Sequence, residues 1–312
     1  MRLAVIGVGS LGQHHARILA SLPEARLVAV VDRDPAQAGA IGARHGVPGL
    51  TDHRDLPVDL DAVTVAVPTS QHAEVTRDCL ARGLAVLVEK PMAATLDEAA
   101  AMTRAAERAG RPLRVGHTER FNPVVRAALD RVRDPRFIET HRLGVFTARS
   151  TDVDVVLDLM IHDLDVILSL VPSPVASIDS VGVHALTDKV DIANARIRFE
   201  NGCVANVTAS RISTDRVRKL RIFEDDSYVS VDYARQEGVA YRLKRTPGAA
   251  PEIVREALAV ESEEPLLAEL RAFARTVRGE AAPGVTAAEG ERALSTALGI
   301  VEQIASGVRR AS

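Results

Sequence analysis

The first 115 residues alternate between two kinds of hydrophobic spacing. Short, continuously apolar runs occur at Arg2–Ile6, Arg26–Val31, Asp61–Val67, Leu84–Val88 and Leu113–Val115, as in strands buried on both faces. Between them, apolar residues recur at helical spacing over about Ser10–Leu22, Ala36–His45, Gln71–Arg82 and Leu96–Ala109. Thr95-Leu96-Asp97-Glu98 reads as a capping box that starts its helix. Strands alternating with helices predict a doubly wound parallel sheet.

The pattern changes after Gly116. Longer strand-like runs follow at Phe137–Val145, Val175–His184, Ile192–Phe199, Val204–Ile212, Val217–Phe223 and Tyr228–Tyr233, with the hairpin signal Glu200-Asn201-Gly202. Helices are expected at Val155–Leu170, Pro265–Val277 and Ala287–Val308, and Lys244–Pro251 reads as a loop. The predicted fold class is α/β: an N-terminal Rossmann doubly wound parallel sheet plus a C-terminal α+β domain with a mostly antiparallel open sheet. The expected domains are 1–118 and 119–312. A sheet half covered by helices must bury its other face, so a homodimer or homotetramer is expected.

Composition narrows the possibilities. The chain has 312 residues, 46% hydrophobic and 26% charged, with a net charge of −3, as in a soluble globular protein with two cores. No global basicity suggests nucleic acid as a partner. There is no long apolar run or signal peptide, so no membrane partner and a cytoplasmic location are expected. Cys79 and Cys203 sit in apolar-periodic stretches and suggest neither a disulfide framework nor a metal cluster.

The first strand runs straight into Gly7-Val8-Gly9-Ser10-Leu11-Gly12. Gly7 permits the tight turn, Gly9 lets the backbone approach a pyrophosphate, and Gly12 allows close helix–strand packing. The pyrophosphate would lie on the N–H groups of the helix N-terminus, at Ser10 and Leu11. Asp32 ends the second strand twenty residues after Gly12, where an adenosine ribose would present its hydroxyls. The expected cofactor is therefore NAD, because a 2′-phosphate beside Asp32 would be repelled; Arg33 could swing toward such a phosphate. Pro68, Thr69 and His72, following another strand, are expected to line the cofactor channel.

Leu84-Ala-Val-Leu-Val-Glu-Lys-Pro-Met92 puts Glu89 and Lys90 at the carboxyl end of a strand, where open α/β sheets bind ligands. Lys90 is one of four lysines against thirty-five arginines. A lysine there suggests a need for a compact, titratable cation; an ordinary surface lysine paired with a carboxylate is the plainer alternative. In Val155–Leu170, Asp158, His162 and Asp165 fall within roughly 60° of helical arc, with Asp154 beside them. Such a polar stripe on an apolar helix implies catalysis, a self-satisfied core cluster, or a divalent metal, in that order, since buried ionisable groups are costly otherwise. No further ligand cluster is evident, so no metal is expected.

These residues together resemble the glucose–fructose oxidoreductase/inositol dehydrogenase (Gfo/Idh/MocA) family. The Gly7–Gly12 loop, Glu89-Lys90-Pro91 and Asp158-x-x-x-His162 carry the likeness. It implies that Lys90 and His162 stand at the reacting carbon and that Asp158 orients the histidine and substrate. It also implies that the first domain binds NAD through Gly7, Gly9, Ser10, Leu11, Gly12, Asp32, Arg33, Pro68, Thr69, His72, Glu89 and Lys90. The second domain would bind substrate and form the oligomer. Gly116–Pro123 and Asp154–Asp165 further resemble the branch that oxidises the 3-hydroxyl of UDP-N-acetylglucosamine and supplies an amino-sugar to lipid A or a related glycolipid. That resemblance makes Arg120, Asn122, Asp158 and His162 the expected substrate contacts. A sugar nucleotide also needs cations for its diphosphate; besides Arg120, the candidates are Arg142, Arg149, Arg211, Arg216 and Arg218. The alternatives are a free polyol or sugar such as inositol, and a non-catalytic NAD-binding regulator.

Overall fold

The structure is a computed structural model that describes residues 1–146, 153–247 and 249–310, with side chains through 307; Arg149 lies outside the described residues. The chain divides into two compact units, Met1–Thr118 with Glu264–Glu291, and Glu119–Glu263 with Arg292–Ser312.

The first unit opens β1 (Arg2–Ile6), α1 (Gly12–Ser21), β2 (Arg26–Val31), α2 (Pro35–His45), β3 (Gly49–Leu50), β4 (Ala62–Val65), α3 (His72–Ala81), β5 (Ala85–Glu89), α4 (Leu96–Ala109) and β6 (Leu113–Gly116). The strands pair in parallel in the order β3-β2-β1-β4-β5-β6. That is the doubly wound order whose ligand crevice opens where β1 and β4 diverge, at the carboxyl ends of the strands. The predicted capping box is present: Thr95 Oγ1 accepts from the Glu98 N–H at 3.2 Å, and the Glu98 carboxylate accepts from the Thr95 N–H.

The second unit holds α5 (Pro123–Arg131), β7 (Phe137–Leu143), a π-helical turn (Val156–Met160) continuing as α6 (Ile161–Leu170), and strands β8 (Val175–Val183), β9 (Ile192–Phe199), β10 (Val204–Ser210), β11 (Val217–Phe223), β12 (Ser227–Asp232), β13 (Glu237–Lys244) and β14 (Glu252–Ala257). They form one sheet in the order β14-β13-β12-β11-β7-β10-β9-β8, antiparallel except for β7 with β10. β13 and β14 add two strands to the six read from the sequence. One face of the sheet, including Ile138, Ala195, Ile197, Ala205, Val207, Leu220 and Ile222, packs into a core with α5 and α6.

The chain closes with α7 (Pro265–Val277), β15 (Val285–Thr286) and α8 (Ala287–Arg310). A contiguous second domain over 119–312 is corrected by α7. Its Leu266, Leu270, Phe273 and Ala274 pack into the core formed by Leu3, Val5, Ile18 and Leu19, and β15 pairs antiparallel with β6. The apolar stripe of α7 finds its complement on the first sheet, a long-range choice that local spacing does not encode.

Candidate active site

The glycine-rich loop follows β1. Gly7 has φ of +83°, and a Cβ there would stand 2.6 Å from the Ala66 carbonyl oxygen. At Gly12 a Cβ would come within 1.8 Å of the Gly7 oxygen, whereas at Gly9 nothing lies within 4 Å. Two glycines are thus needed for packing, and the third leaves backbone open to a ligand. Leu11 precedes α1 without a side-chain cap, and the helix N-terminus favours an anion there, although the Gln13 and His14 N–H groups are bonded to the Gly9 and Leu11 carbonyls. This cradle fits a dinucleotide pyrophosphate.

Asp32 closes the loop from β2. Its Oδ2 accepts from the Val8 N–H at 2.9 Å and its Oδ1 from the Asp34 N–H at 3.1 Å, while Gln37 Nε2 donates to the Val8 carbonyl at 2.6 Å. Each Asp32 oxygen keeps a lone pair for a ribose hydroxyl. Arg33 is exposed. Its charge adds to the influences, led by the Arg54 N–H, that lower the Asp52 carboxyl below its ordinary value.

Pro68 and Thr69 follow β4, Pro68 exposed and Thr69 half-buried, and Lys90 follows β5, half-buried. His72 and Glu89 are placed otherwise than expected. His72 is 1% exposed, with Nδ1 2.9 Å from the Pro91 carbonyl oxygen and Nε2 2.9 Å from that of Val67. Burial holds its imidazole below the ordinary value, opposed in part by those carbonyls. The Glu89 carboxylate is buried, lying 3.0 Å from His15 Nε2 and accepting from the Lys90 N–H at 3.3 Å. The expectation that these two side chains contact the cofactor is corrected: their polar atoms are turned into the protein. His15 carried no sequence signal beyond its position one turn after Gly12.

In the second unit, the assumed 100° period fails at its start. Val156–Met160, which contains Asp158, is a π-helical turn, a local irregularity frequent at functional sites. Two residues of the predicted stripe have partners elsewhere in the unit. Asp154 accepts from the Val190 N–H at 3.0 Å, and Asp165, buried, pairs with Arg120 Nε at 3.0 Å. Asp158 and His162 are half-buried, one in the middle of the π turn and one at the start of α6.

Asp163, which the stripe did not include, anchors the helix. Arg142 donates to both of its carboxylate oxygens, at 2.8 and 3.0 Å, and to Glu119 at 2.9 Å, with Tyr233 beneath its guanidinium. Burial works against the charge of Arg142, but Asp163 and Glu119 more than offset it and raise its pKa. Arg142 is therefore a structural cation rather than a free diphosphate contact. Asn122, 3% exposed, is corrected in the same way: it caps α5 through the Val124 N–H and donates to the Tyr233 carbonyl at 3.1 Å. Arg211 is spent on the Val153 carbonyl. Arg218 lies opposite Arg142 on the neighbouring strand; neither it nor Arg216 makes an ion pair among the described residues. Among those residues no group of three or more His, Cys, Asp or Glu side chains is placed to hold a metal ion.

Residues 1–117 match the model of the oxidoreductase family with an NAD-binding Rossmann fold, GFO_IDH_MocA, and residues 124–228 match the GFO/IDH/MocA C-terminal domain. The chain is 34% identical over 300 residues to the UDP-N-acetylglucosamine 3-dehydrogenase of Acidithiobacillus ferrooxidans, covering 96% of this chain and 95% of that one. The solved structure of that enzyme superposes with a TM-score of 0.90 over 97% of each chain. An inositol 2-dehydrogenase of Rhizobium meliloti is 28% identical over 69% of this chain and 70% of its own. At the level of fold alone, a levoglucosan dehydrogenase bound to NADH superposes with a TM-score of 0.84 at 21% identity, over 98% and 97% of the two chains.

Proposed function

Because the chain belongs to the Gfo/Idh/MocA family of NAD-dependent oxidoreductases, we propose that it oxidises the 3-hydroxyl of UDP-N-acetylglucosamine or a close sugar nucleotide. The observation that carries this reading is the end-to-end likeness to the Acidithiobacillus ferrooxidans enzyme, 34% over 96% of the chain. The binding set is the Gly7–Gly12 cradle with Ser10 and Leu11, the Asp32 carboxylate, and Pro68, Thr69 and Lys90 at the strand ends. NAD, when bound, accepts the hydride from the alcohol carbon.

His162 takes the hydroxyl proton, a role suited to an imidazole whose ordinary pKa lies near neutrality. Asp158 fixes its orientation, and Lys90 stabilises the negative charge that develops on the oxygen. Arg218 and Arg216 are the diphosphate contacts we favour, with Arg120, paired with Asp165, as a further candidate. The product is a 3-keto sugar nucleotide, made in the cytoplasm and suited to amination toward lipid A or a related glycolipid. A second copy of the chain covers the helix-free face of the second unit's sheet.

A nucleotide handle supplies remote binding energy that holds the sugar for reaction. UDP-N-acetylglucosamine is therefore expected to reduce NAD with kcat/KM about 100-fold or more above that for free N-acetylglucosamine. Arg218→Ala should damage the first reaction more than the second. Borodeuteride trapping should place the label at C3. Equal turnover of inositol or an unactivated hexose would replace this reading with a polyol dehydrogenase.

A further inference from the structure

Three buried polar side chains of the first unit take no part in the reaction as proposed. Glu89, His15 and His72 are 5%, 0% and 1% exposed. Burying a carboxylate and two imidazoles costs more than filling the same volume with apolar groups. What they supply in return is direction. Glu89 Oε1 lies 3.0 Å from His15 Nε2 on α1, and Oε2 accepts from the Lys90 N–H. Gly116, at the end of β6, leaves room for that carboxylate, since a Cβ there would stand 2.8 Å from Glu89 Oε1. His72 stands between the Val67 carbonyl, beyond β4, and the Pro91 carbonyl, beyond β5, each 2.9 Å from a ring nitrogen, and its neutral ring donates to one of them at a time. The backbone on both sides of Lys90 is thereby held against α1 through Glu89 and against α3 through His72.

We propose that Glu89, His15 and His72 are positioning residues that fix the backbone of residues 89–91 and so aim Lys90, without touching cofactor or substrate themselves. This rests on the reading of Lys90 as the cation at the reacting oxygen. An arrangement of this kind acts on the rate of the chemical step, because a misplaced catalytic group loses reactivity while ligands still bind.

The test is single-turnover reduction of NAD with whichever sugar the wild-type enzyme oxidises, read beside NAD affinity, KM and the melting temperature. Glu89→Ala is expected to slow hydride transfer about 100-fold while NAD Kd and substrate KM stay within about threefold. Glu89→Gln can still accept from the Lys90 N–H and donate to His15, and should recover to within about tenfold of wild type. His72→Asn retains a donor on the Pro91 side and His72→Gln one on the Val67 side, so the asparagine variant should be the faster.

A wild-type rate for Glu89→Ala, or NAD affinity lost in step with rate, would overturn the proposal. A glutamine variant as slow as the alanine one would also overturn it, showing that the Glu89 charge itself takes part. If Glu89→Ala does not fold, the His72 pair decides, and equal rates for its two variants count against the network. Lys90→Met at wild-type rate removes the premise and sinks both readings. Failure of the sugar-nucleotide reading alone shows in the wild-type substrate profile and leaves this comparison intact.

Discussion

Asp32 ties the glycine-rich loop with its two oxygens, accepting from the Val8 and Asp34 N–H groups, and the proposed function gives the same oxygens to an adenosine ribose. Asp32→Ser removes a hydroxyl acceptor and a repulsive charge together, so the preference for NAD over NADP should narrow by about an order of magnitude, or about 1.4 kcal/mol. Titration of each cofactor checks this, and tighter NADP binding by the wild type would mean that Arg33 dominates. Lys90→Met should leave NAD affinity nearly intact and lower kcat about 100-fold or more, as loss of an oxyanion-stabilising group does; steady-state rates give the answer. At this scale the glycines and Asp32 were legible because each is dictated by backbone geometry at a fixed spacing. His72 and Glu89 were legible as important but not in role. Strand-end residues point either into the crevice or back into the protein, and their partners, His15 and the Val67 and Pro91 carbonyls, are set by long-range packing.

Elements were legible wherever one periodicity holds throughout. Leu96–Ala109, Ile192–Phe199, Val217–Phe223 and Pro265–Val277 fall where the hydrophobic spacing puts them. The π turn at Val156–Met160 breaks that condition. At the assumed helical period Asp163 falls about 140° from Asp158, so the predicted stripe passed it over. Its partner Arg142 occupies an inward position of β7, after Ile138 and Thr140, where a cation signals a buried pair. β14 was missed because all six of its residues are exposed and show no alternation. The hairpin between β8 and β9 offers an element-scale prediction. Asp191, wholly buried, accepts from the N–H groups of Ala185, Leu186 and Thr187 and from the Thr187 hydroxyl. Burial alone would raise its pKa, but those bonds hold it at about 2, against an ordinary value of 3.8. A depressed carboxyl contributes stability above its unfolded pKa and loses it as pH falls through the folded one. The wild type should therefore lose on the order of 2 kcal/mol between about pH 4 and pH 2 through this group. Asp191→Asn should lack that component, melting lower at pH 7 and showing a shallower acid limb. Parallel melting curves for both proteins across that window would refute the assignment.

Across the whole molecule, the sequence-level division at residue 118 has a limit set by α7, whose apolar stripe would serve a core in either unit and is used in the first. No described helix is long and apolar enough to cross a membrane. The remaining apolar surface with a consequence is the helix-free face of the second unit's sheet. Phe137, Phe223, Tyr228 and Tyr241 form a row across four strands there, with ring centroids 5.7, 4.7 and 5.7 Å apart. Val181 on β8 and Ile253 on β14, 60% and 71% exposed, lie toward opposite edges of the sheet. Aromatic rows of this kind carry much of the energy of association surfaces, because they bury large areas at little entropic cost. The row is also flanked by satisfied polar pairs such as Arg221 with Glu139 at 2.7 Å, which keep such a face soluble until it is covered. In the proposed homo-oligomer a second copy would meet this surface by two-fold symmetry, each aromatic row packing on its counterpart. Light scattering behind size exclusion should therefore give a dimer or tetramer for the wild type at micromolar concentration. Tyr228→Glu places an unpaired charge in the middle of the row and should shift the protein to monomer, while the NAD affinity of the first unit stays within about twofold, since distant sites act independently. A monomeric wild type, or a Tyr228→Glu variant that keeps the wild-type mass, would show that this face is not where copies meet.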